Sequence, residues 1–277
     1  ESDLWGLTIE TGDFDADGYG DIVIGVPGKN IKGRTNAGEI TVLYGDESRN
    51  PTSRVETINQ SNHRVPDAAE TGDRWGAALT SGDFNGDGFT DLAVGAPGER
   101  YGTYENAGAI TILYGSKQGL TSTKSTRFHQ DTPEIPDRNE TNDHWGSNLE
   151  SGDFNNDGYD DVIIGTPNES SGDRKESGTL TVLPGSPSGP TSKNAMFLHK
   201  GSFNVPGNIS PYDRWGSVLV SSDFNNDGYT DIIVGTPDET VGPAQKSGAI
   251  TILKGGSRGL SGFGSYTLDQ TSPGIGL

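Results

Sequence analysis

The sequence predicts an all-β protein, a β-propeller of four-stranded antiparallel blades, on three observations. First, the chain repeats itself: Trp5, Trp75, Trp145 and Trp215 stand 70 residues apart, each followed by Gly, and Asp13, Asp83, Asp153 and Asp223 keep the same step. So do Gly25, Pro27 and Gly38 with their counterparts, and no insertion separates the copies. Second, each copy holds short apolar runs bounded by Gly or Pro and shows no helical periodicity. Third, four short strands per copy make a small twisted sheet that cannot bury both faces alone and must stack on its neighbours around an axis. A β-solenoid normally uses shorter coils. The 277 residues therefore read as a single domain of repeats 1–70, 71–140, 141–210 and 211–277.

The elements follow in order within the second copy. Trp75, Ala77 and Leu79 alternate with more polar neighbours, which fits a first strand with one face inward. The acidic loop Asp83 to Asp91 comes next, then the run LAVGAP, stopped by Pro97. AITILYG at 109–115 is a third buried strand, and a weaker alternation at 126–130 is the fourth and outermost. The four Trp, in one register of every first strand, are expected to fill the space between adjacent blades. Phe14, Phe84, Phe154 and Phe224 are expected to plug the acidic loops from beneath.

Charge narrows the partners. With 20 Lys+Arg against 39 Asp+Glu the net charge is −19, so no basic face forms for nucleic acid or anionic lipid, and cations are favoured instead. The absence of Cys excludes disulfides, thiolate nucleophiles and zinc-thiolate sites. No stretch approaches the ~20 apolar residues of a membrane span, so no direct membrane insertion is expected. The opening ESDLWGLTIE lacks signal-peptide character, and any targeting segment is expected to have been removed already.

The loops carry the chemistry. They read DFDADGYGD, DFNGDGFTD, DFNNDGYDD and DFNNDGYTD, with oxygen-bearing side chains at positions 1, 3, 5 and 9, Gly at 6 and an aromatic residue at 7. A hard cation such as Ca²⁺ takes six to eight oxygens, and position 7 can add its backbone carbonyl. The expected ligand sets are Asp13, Asp15, Asp17, Tyr19 and Asp21; Asp83, Asn85, Asp87, Phe89 and Asp91; Asp153, Asn155, Asp157, Tyr159 and Asp161; and Asp223, Asn225, Asp227, Tyr229 and Asp231. A helical EF-hand would carry Glu at position 12, where this chain has Ile24, Val94, Ile164 and Val234, so the ninth acid should close each site from the start of a strand. About four Ca²⁺ are expected, one per repeat. A plain Asp/Asn/Gly turn is the bland alternative, but ligand positions that persist while the spacers Ala16, Gly86, Asn156 and Asn226 vary argue against it.

WGAALTSGDFNGDGFTDLAVGAPGE, residues 75–99, resembles the FG-GAP repeat of integrin α-subunit β-propellers and of secreted bacterial proteins, with Trp-Gly in the Phe-Gly place and GAP at 95–97. The resemblance covers all four copies and implies Ca²⁺ bound in a hairpin between blade strands. GVP at 25–27 and GTP at 165–167 and 235–237 are mild departures. Integrin propellers have seven blades and disulfides, whereas this chain has four copies and no Cys, so the bacterial branch is the closer likeness. Closure on itself, pairing of two chains into an eight-bladed ring, and membership in a longer protein all stay open.

No HExxH, nucleophile elbow or P-loop is present, and the repeated carboxylates are accounted for by metal, so the expectation is a protein that is not an enzyme. A catalytic site should break the repeat, and no such cluster stands out. The expected role is a secreted or cell-surface binding or adhesion module for a protein or carbohydrate ligand outside the cell; a propeller-type polysaccharide lyase or hydrolase, or a lectin with sites between blades, is the alternative. Specificity is expected in the segments that differ between copies, 29–36, 99–106, 168–176 and 238–246, and in the long loops before each Trp. Arg100, Tyr101, Tyr104, Tyr212 and Arg214 are the candidate contacts there. Asn59, Asn139, Asn168 and Asn208 satisfy the glycosylation sequon.

Overall fold

A computed structural model describes residues 2–48, 50, 52–62 and 65–275. The outermost ends of the expected domain, residues 1 and 276–277, lie outside the described residues. Each copy folds into one four-stranded antiparallel sheet with its strands in chain order. The first holds β1 (Ile9–Gly12), β2 (Asp21–Val26), β3 (Glu39–Tyr44) and β4 (Arg54–Ile58). The second holds β5 (Ala78–Gly82), β6 (Asp91–Ala96), β7 (Ala109–Tyr114) and β8 (Thr121–Phe128). The third holds β9 (Asn148–Gly152), β10 (Asp161–Thr166), β11 (Thr179–Leu183) and β12 (Met196–Leu198), and the fourth β13 (Val218–Ser222), β14 (Asp231–Thr236), β15 (Ala249–Lys254) and β16 (Ser261–Asp269). No helix occurs among the described residues, and the fold is a β-propeller of four blades.

Two boundaries differ from the sequence reading. The first strand of the second blade starts at Ala78, because Trp75 is held by the preceding blade: its N–H donates to the Ala37 carbonyl at 3.0 Å, and it bridges Gly38 in parallel. The fourth strand begins at Thr121, well before 126, and bulges between Ile112 and Tyr114 on its partner.

The core is layered between blades. Val23, Ile40 and Val42 of the first blade pack with Trp75, Leu92 and Val94 of the second. Ile110 and Ile112 meet Trp145, Val162 and Ile164 in the next layer, and Ile163, Leu180 and Val182 meet Trp215, Ile232 and Val234 in the third. At each joint a Gly of the GAP-type triplet lets two backbones touch: a Cβ at Gly95 would lie 2.0 Å from the Gly146 carbonyl oxygen.

β1 lies against β5, β5 against β9 and β9 against β13, and the series does not run on from β13 to β1 with comparable packing. The outer faces of the first and last blades are therefore exposed. Trp5 is 64% exposed, against 0% for the other three Trp, which corrects the expectation that all four fill inter-blade space. Phe224 is 46% exposed, against 0% for Phe14, Phe84 and Phe154, so it is not the plug expected of it. The physical reason is the same for both: no following or preceding blade covers them.

Candidate metal centres

Each acidic loop connects the first two strands of its blade, and the backbone inside it is shaped for close coordination. Position 4 sits in the left-handed region, at Ala16, Gly86, Asn156 and Asn226, and the position-6 glycines take φ near 90°, a conformation that side chains disfavour even though the space around them is open. The position-1 carboxylates accept the backbone N–H groups of positions 5 and 6; Asp13 accepts from Asp17 at 3.1 Å and from Gly18 at 3.0 Å, Asp83, Asp153 and Asp223 repeat both bonds, and Asp83 accepts a third from Gly86 at 2.8 Å. Asp17, Asp87, Asp157 and Asp227 each accept the N–H of the aromatic residue two positions on, orienting Tyr19, Phe89, Tyr159 and Tyr229.

The ninth-position acids open β2, β6, β10 and β14, as the missing EF-hand Glu implied. All four are buried. Asp21 accepts from the Phe14 N–H at 2.9 Å and the Gly45 N–H at 2.8 Å, tying the loop to the end of β3, and Asp91 and Asp161 do the same. In the last blade Asp231 accepts from Gly255 and from the Asn225 side-chain amide, while Phe224 swings outward. Burial pushes Asp21 up to about 6, Asp161 to about 7 and Asp91 to about 8, with neighbouring loop carboxylates adding to the push. A bound divalent ion acts in the opposite direction.

The donor set fits a hard cation. Ligand oxygens of Asp13, Asp15 and Asp21 lie within 4.8 Å of one another. Asp15 Oδ1 and Asn155 Oδ1 are buried without a hydrogen-bond partner, whereas in the fourth loop Asn225 turns its amide nitrogen toward Asp231. Asp15 also pairs with Arg54 at 2.6 Å, a protein cation that no other hairpin loop has among the described residues.

The loops also join blade to blade. The Asp13 carbonyl accepts from the Thr90 N–H at 3.2 Å, Asp83 from Asp160 at 3.1 Å and Asp153 from Thr230 at 3.1 Å. Metal held in one loop would thereby stiffen the next.

A second set of carboxylates, which sequence reasoning missed, lies at the blade junctions: Glu70, Asp73 and Glu99, and again Glu140, Asp143 and Glu169. The 70-residue step that flagged the loops flags these too.

On the variable-loop side, Arg34, Glu70, Gly98, Arg100, Glu105 and Asn106 line a polar cleft of about 490 Å³ between the first two blades. The other candidate contacts are partly occupied. Tyr101 stacks on His129 with ring centroids 4.0 Å apart, and Arg214 pairs with Glu176 at 2.6 Å and Asp238 at 3.6 Å. Tyr104 and Tyr212 are exposed. Asn59 and Asn139 are buried and unfit for glycosylation, whereas Asn208 is exposed.

Fold and loops together define a β-propeller whose blades each carry an aspartate-rich hairpin with the donors of a hard-cation site. Residues 5–43, 75–113, 145–183 and 215–253 match the FG-GAP repeat, and the chain belongs to the FG-GAP repeat family. It is 32% identical to phosphatidylinositol-glycan-specific phospholipase D of Bos taurus over 59% of this chain and 18% of that protein. It is 30% identical to integrin alpha-PS2 of Drosophila melanogaster over 83% of this chain and 15% of that one. The chain thus spans about a fifth of the length of the curated relatives it matches. Among solved structures, the exotype rhamnogalacturonan lyase YesX shares the fold, with a TM-score of 0.50 and 12% identity over 91% of this chain and 48% of that one. These matches correct the expectation of a protein that is not an enzyme. The relatives include proteins named as phospholipases, so repeats of this kind are built into enzymes as well as into integrin subunits.

Proposed function

We propose that the chain is an extracellular, calcium-stabilised FG-GAP propeller that recognises a protein or carbohydrate through the variable-loop side of its blades. The observation that carries this is the fourfold aspartate-rich hairpin closed by a buried strand-opening Asp, with the oxygens of Asp13, Asp15 and Asp21 converging in the first. Four Ca²⁺ would add eight positive charges to a net charge of −19. Extracellular calcium modules often have Kd of roughly 10⁻⁴ to 10⁻³ M; sites that weak stay filled only where the ion is abundant, which favours a secreted or cell-surface location. No helix among the described residues is long and apolar enough to cross a membrane. The test is a thermal melt in millimolar Ca²⁺ and in excess chelator. A gain of about 1.4 kcal/mol per site is expected at ten times Kd, and an unchanged melt overturns the structural role of the metal. Ligand class is read by glycan and protein arrays in Ca²⁺, with Arg100→Ala and Tyr104→Ala expected to weaken capture.

A second reading rests on the phospholipase D relatives: the propeller brings a phosphatidylinositol-glycan to a catalytic unit. Binding of the chain to vesicles bearing that glycan supports it, and failure to bind in Ca²⁺ overturns it.

The open faces complement each other. Val218, Val220, Gly235 and Gly248 line a cavity of about 550 Å³ on the last blade, in the register where inner blades receive Trp75, Trp145 and Trp215. Trp5 stands free in that plug register on the first blade. A second copy of this chain, joined head to tail, would fill both and complete an eight-bladed ring. Light scattering at twice the chain mass supports this; a monomer at high concentration overturns it.

A further inference from the structure

The three blade junctions solve one electrostatic problem in different ways, and one of them leaves it unsolved. At each, an Asp just before the Trp-Gly pair (Asp73, Asp143, Asp213) is buried beside a Glu just after the GAP-type triplet (Glu99, Glu169, Glu239). A third side chain from the preceding blade, Gln60, Gln130 or Lys200, reaches that Glu at every junction. Buried carboxylates need a counter-charge.

At the third junction the counter-charge is internal. Lys200 is 3% exposed, pairs with Glu239 and lies 3.8 Å from Asp213. That junction has also shed acids, with Gly207 and Ser210 where the second junction has Asp137 and Glu140. At the first junction Arg127 does the work, 2.7 Å from Asp67 and 3.3 Å from Glu99.

The second junction has neither. Phe197 stands where a 70-residue step from Arg127 would put a cation, and position 130 is Gln. Asp137, Glu140, Asp143 and Glu169 remain, and among the described residues no Lys or Arg pairs with any of them. Oxygens of Glu140, Asp143 and Glu169 lie within 4.8 Å of one another. An independent sign of a missing partner is Gln130. It is fully buried, its amide nitrogen donates to Glu169 Oε2 at 2.6 Å and Asp137 Oδ2 at 2.8 Å, and its Oε1, on that same amide head, has no partner; Gln60 Oε1 is open in the same way at the first junction, but there Arg127 already supplies the positive charge. An acceptor left open among carboxylates is a ligand atom for a cation.

We infer that the junction between the second and third blades binds a hard divalent cation, such as Ca²⁺, through Glu140, Asp143, Glu169 and Gln130 Oε1, apart from the hairpin loops. All four donors are oxygens, and water completes the six to eight that such an ion takes. Glu140 is exposed and gives the ion a way in. Burial pushes Asp143 up to about 7, and Glu169 rises further in the same direction, as expected of acids waiting for a counter-charge. Lys200 is the built-in equivalent of this ion one repeat later.

The test counts Ca²⁺ per chain of these 277 residues by equilibrium dialysis. Gln130→Lys, which copies the third junction, should bind one ion fewer than the wild type, and Lys200→Gln combined with Ser210→Glu should bind one more. Glu140→Ser, at an exposed position, should weaken one ion at least tenfold and serves where Gln130→Lys does not fold. Equal counts and affinities in wild type, Gln130→Lys and Glu140→Ser overturn the inference, because a shared proton would then be all the junction holds. The difference of one ion is independent of whether the hairpins bind, which Asp83→Ala and Asp153→Ala report separately.

Discussion

Trp145 and Trp5 occupy one register of one repeat, yet the first is fully buried and the second is 64% exposed. Phe84 and Phe224 make the same contrast in the acidic loops, at 0% and 46%. The inner joints are finished interfaces: the Trp N–H bonds to the preceding blade, its indole reaches Thr181, and the layer beneath holds Ile110 and Val162. The outer faces carry the same residues without the neighbour. In a radial array, then, burial belongs to the joint and not to the blade, and stability is a sum of nearest-neighbour terms.

The largest expected effect follows from that contrast. Trp145→Ala removes a fully buried indole and should cost about 3–5 kcal/mol in urea unfolding. Trp5→Ala should cost within about 0.5 kcal/mol for the single chain while abolishing any head-to-tail pairing seen by light scattering. Equal losses at the two positions would show that the arc is closed in solution.

Glycine substitutions sharpen the comparison at a smaller scale. A Cβ at Gly95 would meet the Gly146 carbonyl at 2.0 Å, whereas at Gly235 its nearest contact is Val218 Cβ at 3.1 Å, and neither residue has positive φ. Gly95→Ala should therefore cost about 3 kcal/mol, as overpacking between two backbones does, and Gly235→Ala under about 1 kcal/mol. The measurement is the urea midpoint of each variant. A costly Gly235→Ala would place another blade against the last one.

What the sequence disclosed follows the same division. The 70-residue step, the strand-opening Asp91 and the runs at 91–96 and 109–114 were legible because each depends on residues near one another in the chain. Trp75 was read as strand although it answers to Gly38 of another blade, and no local alternation encodes that bridge. Trp5 and Phe224 repeat the motif perfectly and still lie open, since a repeat cannot say whether its neighbour is present. The junction acids escaped for a related reason: Asp143 and Glu169 sit on opposite sides of a hairpin loop and converge only when Gln130 of the preceding blade closes over them.

The smallest expected effect is that of an outer-face ion pair, read against a pH slope that belongs to the inner joints. Burial raises Asp73 to about 6, Asp143 to about 7 and Glu99 to about 8, while the unfolded chain holds these groups near 4. Between those values the folded state keeps protons that the unfolded state has lost, so in excess chelator stability is greatest at low pH and falls as pH rises from about 4 to about 8. Each titrating acid contributes on the order of 1 kcal/mol per pH unit. Calcium should flatten the slope, since a bound divalent ion holds the carboxylates ionised. At the outer face Lys29 pairs with Asp3 at 3.0 Å in a partly exposed bridge, a type that contributes at most about 1 kcal/mol. Lys29→Ala should therefore leave the slope intact, and urea midpoints in chelator at pH 5 and pH 8 decide it: a slope lost with Lys29 would move the titration from the joints to the surface.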